Sequence, residues 1–115
     1  MRIHHIALRT GDVEALATFY GSTLGLDVVR RGGAGGGVWL DAGGTLLMIE
    51  RADPAEPDIP PGTMELIAFA VTDREAWRRR LEAAAVAIES ETAFTLYFRD
   101  PDGRRVAVST YDPGP

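Results

Sequence analysis

"HIALRTGDVEA" (His5–Ala15) returns in altered form as "LIAFAVTDREA" (Leu66–Ala76). Ile6 matches Ile67, Ala7 matches Ala68, Asp12 matches Asp73 and Ala15 matches Ala76, each pair 61 residues apart. An internal repeat at constant offset fixes the architecture before any single element is assigned. Each copy opens on an apolar strand and runs into an amphipathic helix. Shorter extended pieces follow, separated by glycine or proline.

In the first copy, residues 2–8 read as a strand and 12–23 as a helix, with Val13, Leu16, Phe19, Tyr20 and Leu24 at helical spacing. Gly25 is placed to stop that helix. "LDVVRR" (26–31) reads as a strand and "GGAGGG" (32–37) as a loop of low intrinsic order. "VWLDAGGTLLMIE" (38–50) is a hairpin turning at Gly43-Gly44. Residues 52–63 hold four of the seven prolines and read as a linker without regular structure. In the second copy, 64–71 is a strand and 73–85 a helix. Thr72 and Glu75 are placed for a capping box. Trp77, Leu81 and Ala84 share one helix face, while Arg78, Arg79 and Arg80 face solvent. "VAIES" (86–90) is a short strand. "TLYFRDPDGRRVAVST" (95–110) is a hairpin turned by Pro101-Asp102-Gly103. The expected fold class is α+β: two tandem βαβββ modules, about 1–51 and 64–110, with a tail at 111–115. Half a sheet system cannot bury itself alone, so residues 1–115 are expected to form one domain. Its curved sheets are expected to leave a cleft.

Composition narrows the function. The chain has 115 residues, is 45% hydrophobic and carries a formal net charge of −5. A phosphate backbone needs a basic face, so nucleic acid is not an expected partner. No apolar run approaches the roughly 18 residues of a membrane span. "MRIHHIAL" lacks a charged-then-apolar signal pattern, so export is not expected. The absence of cysteine removes disulfides, thiolate metal sites and thiol nucleophiles, and fits a cytoplasmic protein.

The paired modules, with "His5-Ile6-Ala7-Leu8", "Phe19-Tyr20…Leu24-Gly25-Leu26" and "Phe98-Arg99-Asp100-Pro101-Asp102-Gly103", resemble the vicinal oxygen chelate superfamily. That group includes glyoxalase I, extradiol dioxygenases, fosfomycin resistance transferases and bleomycin resistance proteins. The resemblance spans about residues 2–110. It implies a cleft metal in the enzymes, held by a histidine on each module's first strand and a glutamate, glutamine or histidine on each last strand. The usual chemistry is Lewis-acid polarisation or oxygen activation. Carried across position by position, the four ligand places fall on His5, Met48, Leu66 and Ala107. Only His5 suits a hard or borderline metal, since methionine sulfur suits soft ions. Strand alternation puts Ala7 and Arg9 on the face of His5, and turns His4 away. Glu50 shares the face of Met48 but lies about 7 Å further along the strand. The metal site therefore reads as degenerate, and no cofactor is expected.

Without those ligands the cleft floor is apolar: Leu66, Met48 and Ala107. Strand parity and the resemblance turn Trp39 and Tyr97 inward, with Asp41, Glu50, Arg99 and Arg105 at a polar rim. A small organic ligand, aromatic or cationic, suits such walls. Phe19, Tyr20 and Trp77 read as core. The sequence supports a metal-free binding protein of the bleomycin-resistance type; the alternative is a glyoxalase- or dioxygenase-type enzyme (lyase, isomerase or dioxygenase) with a degenerate or misaligned metal site or His5 as general base. A third reading is a structural or regulatory protein with a vestigial cleft. The resemblance implies a homodimer.

Overall fold

The computed structural model describes residues 1–33, 36–54, 56–60 and 63–114. The centre of the glycine loop (34 and 35), parts of the linker (55, 61 and 62) and residue 115 lie outside them. The chain forms two compact units, Met1–Asp58 and Ile59–Pro115. Among the described residues, no helix is long and apolar enough to cross a membrane.

In the first unit β1 is His5–Thr10, α1 Val13–Thr18, β2 Asp27–Arg31, β3 Val38–Asp41 and β4 Leu46–Arg51. The sheet order is β1-β4-β3-β2, with β1 parallel to β4 and the other pairs antiparallel. In the second unit β5 is Ile67–Ala70, α2 Arg74–Ala83, β6 Ser90–Glu91, β7 Thr95–Arg99 and β8 Arg105–Ser109. The order is β5-β8-β7-β6, again with the first pair parallel. The two sheets are therefore the same βαβββ unit built twice.

Alternation gives each sheet a helix-side face and an open face. In the first unit Leu8, Leu40, Leu47 and Ile49 are buried with Leu16 and Tyr20. In the second, Leu81 of α2 is buried with Leu96, Phe98, Val106 and Val108. Burial of apolar surface at about 25 cal/mol per Å² holds each layer together.

The 61-residue spacing extends to the helix caps. Asp12 accepts from the Ala15 amide at 3.1 Å, and Asp73 from the Ala76 amide at 3.0 Å. The expected Thr72–Glu75 capping box is corrected: α2 starts at Arg74, so Asp73 occupies the cap position and Thr72 comes one residue too early. Glu75 pairs instead with Arg74 and Arg78. An N-cap aspartate contributes about 1 kcal/mol. Asp73→Ala should lower stability by about that amount in urea unfolding, while Thr72→Ala should leave the midpoint nearly in place.

The other differences have local causes. The helix expected over 12–23 widens at Phe19–Thr23 into a π-helical turn, closed by Leu24 N–H to Phe19 C=O at 2.9 Å. Both aromatics are thereby buried, with ring centroids 5.2 Å apart edge to face. Gly25 ends the segment at φ +84°. The strand expected over 64–71 begins only at Ile67, leaving Leu66 outside it. The strand expected over 86–90 is reduced to Ser90–Glu91. Ala85 is left-handed and Val86 N–H bonds back to Leu81 C=O at 2.9 Å, so the chain stays tied to the helix end. On α2 only Leu81 is buried. Trp77 is half-buried beneath Arg80, whose guanidinium is 4.8 Å from the ring centroid, and Ala84 is exposed. Nor is the arginine run wholly solvated, because Arg78 pairs with Glu75 and Glu91.

Candidate ligand-binding site

On the open face of the first sheet, hydrogen-bonded register aligns Ala7, Met48, Trp39 and Arg30 in one row across β1, β4, β3 and β2. On the second sheet the corresponding row is Ala68, Ala107, Tyr97 and Ser90. Trp39 and Tyr97 thus hold the same place in the two modules, as do Met48 and Ala107. Both aromatics are half-buried, and each lies under an arginine. Arg30 stands 4.9 Å from the Trp39 ring centroid and Arg105 stands 4.3 Å from that of Tyr97.

The row next to Trp39 carries His5, Leu46, Asp41 and Asp27. His5 is exposed and projects with Ala7 and Arg9, as alternation requires. His4 departs from that pattern. β1 begins at His5, so strand parity does not reach His4, and the two imidazoles meet with Nδ1 atoms 2.9 Å apart. Asp41 accepts from the Gly44 amide at 2.8 Å and so belongs to the β3–β4 turn. Beyond Met48, Glu50 sits 3.7 Å from Arg9, which is held mainly by Glu56 at 2.6 Å. That hydrogen bond draws the Glu56 carboxyl below its usual range.

In the second unit Arg99 and Arg105 are cross-strand neighbours. Arg99 spans both oxygens of Glu89, through Nε at 2.6 Å and Nη2 at 3.0 Å. The Arg99 hydrogen bond is the leading cause of a lowered Glu89 pKa. Arg105 donates to Ser90 Oγ at 3.1 Å. Thr95 and Ser109 close the other end of this face, their hydroxyls 2.8 Å apart. Ala107 is fully buried between Ala68 and Tyr97, and Leu66 is exposed.

The four positions that the resemblance marks as ligands therefore carry an imidazole, a thioether, a branched alkyl chain and a methyl group. That donor set does not fit a Zn, Ni, Mn or Fe centre. Among the described residues, no group of three His, Cys, Asp or Glu is placed to hold a metal ion.

Arg30, Glu89 and Ser90 join these faces without being among the site residues that the sequence marks. A bulge between Val28 and Arg30 explains the first. Plain alternation would set Val29 beside Trp39, and the extra residue brings Arg30 there instead. A cavity of about 370 Å³ also opens in the first unit, on the helix side. Glu14, Arg31, Arg51 and the glycines flanking 34–35 line it, and none of the sequence-predicted site residues do.

Two tandem βαβββ modules, each a four-stranded sheet with one parallel strand pair, define the class of fold to which this chain belongs. The profile of the Glyoxalase/Bleomycin resistance protein/Dioxygenase superfamily matches residues 2–108, and the chain belongs to that superfamily. Among curated relatives it is 31% identical to "Glutathione transferase FosA" of Serratia marcescens, over 90% of this chain and 77% of that protein. Among solved structures it is similar to a lactoylglutathione lyase from Agrobacterium tumefaciens, at 22% identity and a TM-score of 0.74, covering 94% of this chain and 92% of that one. It is also similar to TnmS3, an antibiotic binding protein from Streptomyces sp. CB03234. There the identity is 23% and the TM-score 0.74, covering 95% of this chain and 94% of that one.

Proposed function

We propose that this protein binds a small organic molecule without a metal ion, on the sheet faces that carry Trp39 and Tyr97. One observation carries the reading. The two aromatics occupy the same register position in both modules, each beside a residue, Met48 or Ala107, that replaces a ligand position with an apolar side chain. An apolar floor with an aromatic wall and a few fixed polar groups retains organic ligands. Sequestration of the bleomycin-resistance type follows, and the antibiotic-binding relative is consistent with it. The proposal takes residues 1–115 as one domain of two modules, working in the cytoplasm as a homodimer.

A second reading, an enzyme, is favoured by the transferase relative at 31% identity and by exposed His5. There a lyase, isomerase or dioxygenase would use His5 as a general base, or as one ligand of an atypical site. Native mass spectrometry with elemental analysis separates the binding reading from the metal-dependent form of the second. The binding reading expects a dimer mass with no stoichiometric Zn, Ni, Mn or Fe, and a melting temperature unmoved by EDTA. Stoichiometric metal that disappears in His5→Ala would overturn it in favour of the enzyme.

A further inference from the structure

The arginine over Tyr97 is a cation without a full set of acceptors. Its Nη2 donates to Ser90 Oγ, while Nε is buried with no hydrogen-bond partner. The carboxylate in ion-pair range is Glu89, whose Oε1 lies 3.7 Å from Nε, beyond hydrogen-bond reach. Glu89 is already engaged through both oxygens by Arg99. Arg99, Arg105 and Glu89 together keep one net positive charge on this face, in a chain whose net charge is −5. The first unit repeats the theme. Arg30 lies over Trp39, and among the described residues no carboxylate is in ion-pair range of it.

Two consequences follow for the ligand. A cationic molecule, one of the options raised by the sequence, meets aromatic faces that already carry the chain's own cations. A planar anion meets the reverse: a guanidinium whose outer Nη1 has no partner among the described residues, stacked on a ring and bordered by the small side chains Ala68 and Ala107. Guanidinium and carboxylate match as parallel forks.

Resting on the binding reading above, we propose that the Tyr97 face takes an aromatic carboxylate, with Arg105 as the residue that binds the carboxyl group and the stacked Arg105–Tyr97 pair as the wall beside the ring. A stacked arginine alone does not make such a site. Arg80 stacks on Trp77 in the same way, but on a helix rather than among the residues of the sheet face. What distinguishes Arg105 is its unfilled donor set beside a carboxylate already committed to Arg99.

Calorimetric titration of the full chain with three probes of equal ring size tests this: 2-naphthoate, 2-naphthamide and 2-naphthylmethylamine. The carboxylate should bind on the order of tenfold more tightly than the amide, and the amine most weakly. Arg105→Gln should erase the carboxylate's advantage while leaving amide binding in place. Far-UV circular dichroism and the melting temperature report whether the variant is folded. Arg105→Lys, which keeps the charge without the fork, should recover part of the preference and provides a folded comparison. Equal binding of amide and carboxylate, a preference for the amine, or a carboxylate preference that survives Arg105→Gln would each overturn the anion assignment and leave the binding reading standing. Binding of none of the three would overturn the binding reading itself.

Discussion

The Asp100→Ala variant is expected to be about 3 kcal/mol less stable than the parent chain. The carboxylate of Asp100 is fully buried. Its Oδ1 accepts the backbone N–H of Asp102 at 2.9 Å and of Arg104 at 3.0 Å, and Oδ2 accepts from Arg104 Nη1 at 3.3 Å. These bonds close the β7–β8 turn from inside. The backbone adds Asp100 N–H to Arg104 C=O and Gly103 N–H to Asp100 C=O, each at 2.9 Å, with Gly103 at φ +89°. Alanine removes the acceptor and strands two part-buried amide donors. It also takes one of its carboxylate partners from the half-buried Arg104 guanidinium, which keeps its pair with Asp102. Stranded donors, rather than the lost attraction, dominate the cost.

Urea unfolding followed by circular dichroism measures it, with a melting temperature roughly 10 °C lower as the parallel readout. Asp102→Ala is the internal control. Asp102 also pairs with Arg104, at 3.0 Å, but its carboxylate is more exposed. Partly exposed ion pairs contribute well under about 1 kcal/mol. Equal losses for the two variants would show that the turn is not anchored from within.

Asp100 also marks where sequence reasoning stopped. "Pro101-Asp102-Gly103" announces a turn because proline and glycine preset backbone angles. The residue before it belongs to the motif that carries the family resemblance, with nothing in the sequence to mark it as buried. Burial of a carboxylate depends on which backbone amides fold back onto it, and three-dimensional closure decides that. The caps show the same division. The repeat aligns Asp12 with Asp73, the two residues that cap the helices, whereas the capping-box pattern at Thr72 and Glu75 lies one residue too early.

Register, by contrast, was legible. The alternation in "LLMIE" and "TLYFR" separates helix-side residues from open-face residues, and the structure keeps Trp39 with Met48 and Tyr97 with Ala107. The exceptions are positions where alternation fails for a local reason. At the β2 bulge an inserted residue brings Arg30 to Trp39. At the start of β1 the strand has not yet begun, so His4 turns toward His5. Both are interruptions of a period-two rule, and a single sequence gives no sign of where that rule will break.

Trp39→Ala should weaken binding of the neutral probe 2-naphthamide on the first unit's sheet face by at least about 30-fold, corresponding to about 2 kcal/mol. Aromatic residues at the centre of an apolar patch concentrate binding energy, because truncation removes contact area and admits water together. Trp39→Phe should retain most of the affinity, since a ring still faces Met48 and Ala7. Met48→Ala should cost less than Trp39→Ala, because it removes a smaller, more adaptable side chain. The protein supplies its own control in Trp77. That residue is also half-buried and also lies under an arginine, at 4.8 Å against 4.9 Å for Trp39, but it belongs to α2. If the sheet face binds the ligand, Trp77→Phe leaves affinity unchanged, and ligand quenching persists in Trp77→Phe but is lost in Trp39→Phe. Quenching that follows Trp77, or full affinity in a folded Trp39→Ala variant, would place the ligand elsewhere. The cavity beside Arg31 and Arg51 would then be the next surface to test.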